Sequence, residues 1–223
     1  MIVKLSYNLS ENMPFYEGIP QPKIEPFADF SKGNQWRSLY FTTNNHFGTH
    51  VDAPNHFCPT GRKICEYKIE DLIFERVAIL PISIGETELI NPEHLSGLRG
   101  VRQDCDLLLI KTGFSRFRES APRTYADRSP GFSRRSAEYV MDALPTLRAL
   151  MVDFISMAAA AHMEDGCDAH RVFLGYPGPG KRSILLIEDS FIPDALPVPK
   201  KVYAVPLFFE GLDSAPCTVF ADV

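Results

Sequence analysis

Three of the six histidines in this chain, His46, His50 and His56, fall within one eleven-residue segment, and Asp52 lies among them. The segment reads His46-Phe-Gly-Thr-His50-Val-Asp52-Ala-Pro-Asn-His56. Imidazole nitrogen and carboxylate oxygen are ligands for zinc, and they also suit manganese or iron. The spacing rules out a single regular element. On a straight strand His46 and His50 would stand roughly 13 Å apart, too far to share an ion. On a helix they would share a face, but Asp52 would point about 200° away from His50. The stretch therefore has to bend, which Gly48 permits, and Pro54 stops it continuing as a helix. The expected placement is a bent loop after a strand. A lone histidine is usually a surface or hydrogen-bonded core residue, whereas a cluster of this density is far more specific. His94, in Asn-Pro-Glu-His-Leu, reads as an exposed helical residue, and the reading of His162 stays open.

The elements that must position this segment alternate along the chain. Residues 2–7 and 37–43 read as strands, and the proline-rich stretch between them can only be loop or edge strand. Residues 76–82, 106–111 and 149–154 are near-continuous apolar runs, the pattern of strands covered on both faces. Asn91 and Pro92 open a short helix as N-cap and first helical residue. Ser133 caps a helix over 133–144, and residues 168–174 read as helical. Residues 175–180 (GYPGPG) must be a loop. Strands return at 183–187, 202–209 and 217–223. Strand-helix-strand units in a strand-rich chain of 223 residues, without linker or repeat, predict one mixed α/β domain over residues 1–223.

Composition narrows the class further. With 45% hydrophobic and 23% charged residues the chain can bury a sizeable core. No run of 18 apolar residues and no signal-like start is found, so a cytoplasmic protein without a membrane partner is expected. A net charge of −5 with scattered Lys and Arg argues against a nucleic-acid partner. The five cysteines are odd in number and lack redox or zinc-ribbon spacing, so they read as reduced thiols.

The order HxGTHxDxPxH resembles the signature of the metal-dependent cyclase-like hydrolases, the family of bacterial kynurenine formamidases and isatin hydrolases. Met13-Pro-Phe-Tyr16-x-Gly18-x-Pro20 is similar to that family's N-terminal stretch, and residues 106–113 (DLLLIKTG) resemble its central strand. Ala169-His170-Arg171 and Leu185-Leu-Ile-Glu188 are similar to its later histidine and glutamate segments. The resemblance implies that His46, His50 and Asp52 bind metal and that His56 is the catalytic proton carrier. It also implies that His170 and Glu188 hold a second ion. A barrel-like β core with flanking helices and a homodimer or homotetramer are further implications. Two departures stand out. His170 and Glu188 are 18 positions apart, wider than the family's spacing, with residues 176–181 as the insertion. The segment after Asp153 lacks the family's DTPSxD pattern, which bears on substrate specificity.

Taken with this resemblance, the residues imply hydrolysis of a carbonyl–nitrogen bond in a small aryl formamide or cyclic amide through metal-bound hydroxide. The cofactor would be one or two divalent ions per chain, zinc first, with manganese or iron as alternatives. Metal binding lowers the pKa of water from 15.7 to about 7, and an imidazole with a pKa near 6.5 can carry a proton in both directions. Phe15, Tyr16, Trp36 and Phe57 are candidates to line a pocket for a flat substrate, although core packing is the expected role for at least half of them. The alternatives are a lactone or ester hydrolase, a cyclase, or a non-catalytic metal-binding module. Retention of His56, which is not needed to hold an ion, speaks against the last.

Overall fold

The computed structural model describes residues 1–223. The first part of the chain forms short strands: β1 (Ile2–Lys4), β2 (Lys23–Ala28), β3 (Ser38–Thr42), β4 (His50–Asp52), β5 (Ile73–Phe74) and β6 (Val77–Pro81). The remainder adds β7 (Leu89–Ile90), β8 (Leu107–Lys111), β9 (Gly131–Phe132), β10 (Ala149–Val152), β11 (Leu185–Glu188), β12 (Lys201–Pro206) and β13 (Ser214–Asp222). Four α-helices complete it: α1 (Phe117–Ser120), α2 (Pro122–Asp127), α3 (Arg134–Ala143) and α4 (Met163–Phe173).

One large mixed sheet runs in the order β5-β12-β13-β4-β11-β10-β8-β6, with β1 also paired to β13. Its outermost members, β5 and β6, are separated in the chain only by Glu75 and Arg76, so the sheet curls until its ends approach each other. The buried carboxylate of Asp106 accepts the backbone N–H groups of both these residues and pins that corner. The result is a nearly closed barrel flanked by helices in a single mixed α/β domain, as the sequence predicted.

Alternation along the central strands explains their continuous apolar runs. Leu107, Leu109, Ala149, Met151, Leu185 and Ile187 belong to one core, inside the barrel. Their neighbours Leu108, Ile110, Leu150, Val152 and Leu186 face the other way, into a second core with α3, α4 and the 3-10 helix Pro92–Gly100. Successive strand side chains point to opposite faces, so a strand covered on both needs apolar residues throughout. Burying each leucine contributes about 1.5–3 kcal/mol. β2 and β3 pair only with each other in an edge hairpin, in keeping with the prolines of that region.

Several local expectations need correction. The histidine-aspartate segment is not loop throughout: it bends at Gly48, with φ +65°, and then enters the sheet as β4. The helix expected over 168–174 begins at Met163, with Glu164 and Asp165 favourably placed at its positive end. Gly166 obscured this start, because glycine in a helix interior costs about 1 kcal/mol relative to alanine. α1 and α2 had no clear periodic signal. His94 is half-buried rather than exposed, and its Nδ1 accepts the Asn91 N–H at 3.0 Å at the start of the 3-10 helix. His162 is exposed. No helix is long and apolar enough to cross a membrane. All five cysteines are unpaired thiols.

Candidate metal centre

β4 lies between β11 and β13 in the sheet, antiparallel to both. Two residues apart on this strand, His50 and Asp52 project from the same face. The register sets His50 directly opposite Glu188, the last residue of β11. Leu186, two residues earlier on β11, belongs to the helix-facing core, so this face looks outward toward α4. α4 supplies His170 from above. The turn at Gly48 folds His46 back over Asp52.

The side chains of all five residues converge. His50 Nε2 is 3.5 Å from Asp52 Oδ1 and 3.3 Å from Glu188 Oε2. His170 Nε2 is 3.4 Å from Glu188 Oε1 and 3.9 Å from Asp52 Oδ2. His46 Nδ1 is 3.1 Å from Asp52 Oδ1. Two groups capable of holding an ion share Asp52: His50, Asp52 and Glu188, and His46, Asp52 and His56, with ligand atoms within 4.8 Å of one another in each. His56 thus belongs to the cluster geometrically, which the expectation of a proton carrier alone did not anticipate.

Local hydrogen bonds orient these side chains. His50 Nδ1–H donates to the Gly48 carbonyl at 2.8 Å, and His170 Nδ1–H donates to the Gly166 carbonyl, one helical turn back, also at 2.8 Å. Each ring therefore turns the lone pair of Nε2 toward Asp52 and Glu188, the arrangement that fixes a metal-binding tautomer. Glu188 Oε1 accepts the Met157 N–H at 2.6 Å and the Ser156 hydroxyl at 3.2 Å.

The donor set fits a divalent cation. His50 Nε2 and both carboxylate oxygens of Asp52 are buried with no hydrogen-bond partner. Such orphaned atoms are costly, and here they face one another, so a cation between them would satisfy all three. The electrostatics agree. Burial opposes ionisation of Asp52, yet the imidazoles of His50 and His46 outweigh it and hold the carboxyl well below its usual range. Burial and Asp52 both raise the pKa of Glu188, but the adjacent imidazoles of His170 and His50 prevail and bring it down to about 2. Burial disfavours the charged form of His46, while Asp213 and Asp52 push it up to about 10. The cluster attracts positive charge.

A cavity of about 280 Å³ opens over the cluster. Phe15, Tyr16 and Phe57 line it, whereas Trp36 stands outside it and is exposed. Two of these four, Tyr16 and Phe57, also pack against the edge of the helix-facing core, in line with the expectation for at least half of them. No lysine or arginine lines the cavity. The Tyr16 hydroxyl donates to the Ala158 carbonyl at 2.6 Å, tying one wall to the segment that departs from the family pattern.

Two features had no sequence signal. Asp213, just ahead of β13, meets both His46 Nε2 at 3.1 Å and His56 Nδ1 at 2.7 Å. An acid before a strand is common, and its partners lie far away in sequence. Asp189, beside Glu188, adopts a positive φ of 47° and is held by a bidentate Arg118 guanidinium and the Tyr125 hydroxyl, all at 2.7 Å.

Comparison with known proteins follows the same lines. The Cyclase family model matches residues 3–159. An uncharacterized protein of Haemophilus influenzae is 30% identical over 127 residues, which cover 57% of this chain and 89% of that protein. Isatin hydrolase A of Labrenzia aggregata, solved with benzyl benzoate bound, superimposes with a TM-score of 0.81 at 20% identity, covering 99% of this chain and 93% of its own. Isatin hydrolase A of Ralstonia solanacearum gives 0.78 at 20% identity, with 99% and 91% covered. The structural likenesses establish a shared fold.

Proposed function

The chain belongs to the Cyclase family, and from that premise we propose that it is a metal-dependent hydrolase of a small aryl formamide or cyclic amide. The observation that carries this reading is the set of orphaned, mutually facing atoms of His50 and Asp52 at the floor of an apolar cavity. His46, His50 and Asp52 would hold one divalent cation, and His170 and Glu188 with Asp52 a second, zinc being the first choice and manganese or iron the alternatives. Such a cation supplies an acidified water and polarises a carbonyl.

The chain's own residues do the rest. Phe15, Tyr16 and Phe57 hold a flat ring against the cluster and keep bulk water away. His56 takes a proton from the attacking water and returns it to the departing nitrogen. The solved neighbours, named isatin hydrolases, support a cyclic amide as the substrate type. Apolar side chains exposed on the β2–β3 hairpin and its loop, Phe27, Trp36, Tyr40 and Phe41, support assembly as a homodimer or homotetramer. Light scattering tests that assembly, and a monomer at micromolar concentration would rule it out.

The decisive experiment for the activity is a screen of formamides, lactams and lactones with the metal-restored protein. Turnover of a lactam or aryl formamide, abolished by a chelator, is expected. Turnover confined to lactones would overturn the carbonyl–nitrogen assignment.

A further inference from the structure

A histidine that carries protons needs one ring nitrogen held and the other free. His56 Nδ1 lies 2.7 Å from Asp213 Oδ2, and that same oxygen lies 3.1 Å from His46 Nε2. The two imidazoles are neighbours, with centroids 4.1 Å apart and planes inclined by 38°. Asp213 is itself secured. Its Oδ1 accepts the Asn45 side-chain amide at 2.8 Å, and its peptide carbonyl accepts the Ala53 N–H at 2.9 Å. Asp213 is thus anchored, by its carboxylate at Asn45 and by its backbone at Ala53, to the segment that carries the ligands.

We propose that Asp213 is a positioning residue that fixes the tautomers of His46 and His56 together, through a single oxygen. The inference rests on the reading of His46 as a ligand and His56 as the proton carrier. An ionised carboxylate only accepts hydrogen bonds, so both nitrogens facing it must carry hydrogen. In the metal-loaded protein, where the cation takes the place of the second proton on His46, the lone pairs then fall on His46 Nδ1 and His56 Nε2. His46 Nδ1 is the atom 3.1 Å from Asp52 Oδ1, on the side of the metal cluster. His56 Nε2 is left free to accept a proton. Reversing the tautomers would turn an N–H toward the cluster on one ring and remove the basic nitrogen on the other.

Asp213→Asn makes that reversal while conserving shape. Asn45 donates to Oδ1, so the new amide keeps its carbonyl there and directs its NH₂ at the two rings. It would then donate where the carboxylate accepted. Long-range ¹H–¹⁵N spectra of the Zn²⁺-loaded protein, labelled in histidine, read the tautomers directly. The wild type should show His56 protonated on Nδ1, and Asp213→Asn should show it on Nε2. At saturating Zn²⁺ the variant's kcat should fall about 100-fold or more with KM within about threefold, and Zn²⁺ affinity should fall about 10–100-fold. A wild-type His56 protonated on Nε2 would overturn the proposal without any variant being needed. Wild-type kcat and Zn²⁺ affinity in Asp213→Asn would overturn it as well. Full turnover in His56→Ala would instead sink the proton-carrier reading, and the tautomer spectrum would still decide the case of Asp213.

Discussion

His170 Nε2 lies 3.4 Å from Glu188 Oε1, although the end of α4, a glycine- and proline-rich loop and most of β11 intervene in the chain. The wide sequence spacing between them is absorbed by residues 175–184, because loop length adds little free energy when its ends are fixed by packed elements. If the pair holds the second ion, Glu188→Gln should retain one metal per chain where the wild type retains two. Elemental analysis of protein purified without chelators decides this. Equal stoichiometry in the two would exclude Glu188 as a ligand.

His56 poses a different question, since it is within ligand reach of Asp52 and also hydrogen-bonded to Asp213. His56→Ala should keep its metal and lose about 100-fold or more in kcat, within the range for general acid–base groups. Loss of an ion in this variant would make His56 a ligand. Near-normal turnover would remove it from the chemistry altogether.

Gly166 is where α4 approaches the segment under it. A Cβ built there would lie 2.3 Å from Ala158 Cα and 2.5 Å from Ala158 Cβ, and backbone cannot yield as a flexible side chain does. Gly166→Ala should therefore cost about 1–3 kcal/mol. It should also weaken metal binding, because the Gly166 carbonyl orients His170. Urea denaturation and metal titration measure the two effects, and wild-type values in both would refute the tight contact.

The Arg118–Asp189 pair braces the residue next to Glu188 from beneath the site. Both side chains are buried, at 7% and 2% exposure, so removing one charge leaves the other stranded. Arg118→Met should destabilise the fold by about 3–5 kcal/mol. A change under about 1 kcal/mol in chemical denaturation would mean that the pair is not structurally important.

Much of this was readable from residue order alone, for identifiable reasons. The buried strands at Leu107–Lys111 and Ala149–Val152 announce themselves as apolar runs, and the Ser133 cap marks the start of α3. The bend at Gly48 follows from the reach of a histidine side chain. What could not be read was which strand lies beside which. The pairing of His50 with Glu188 and the approach of Asp213 to His46 depend on strand order in the closed sheet, which local pattern does not encode. The strand character of β4 was hidden too, because three residues between a turn and Pro54 are too few to show a period.

The proposed chemistry requires His46, His50, Asp52, His170 and Glu188 to surround divalent cations. Anomalous diffraction from crystals grown with excess Mn²⁺ tests it most directly. A peak is expected beside the Asp52 carboxylate next to His46 and His50, with a second next to His170 and Glu188, each at about 2.0–2.2 Å from its nitrogen and oxygen ligands. No peak there, or a peak only at surface carboxylates, would contradict it.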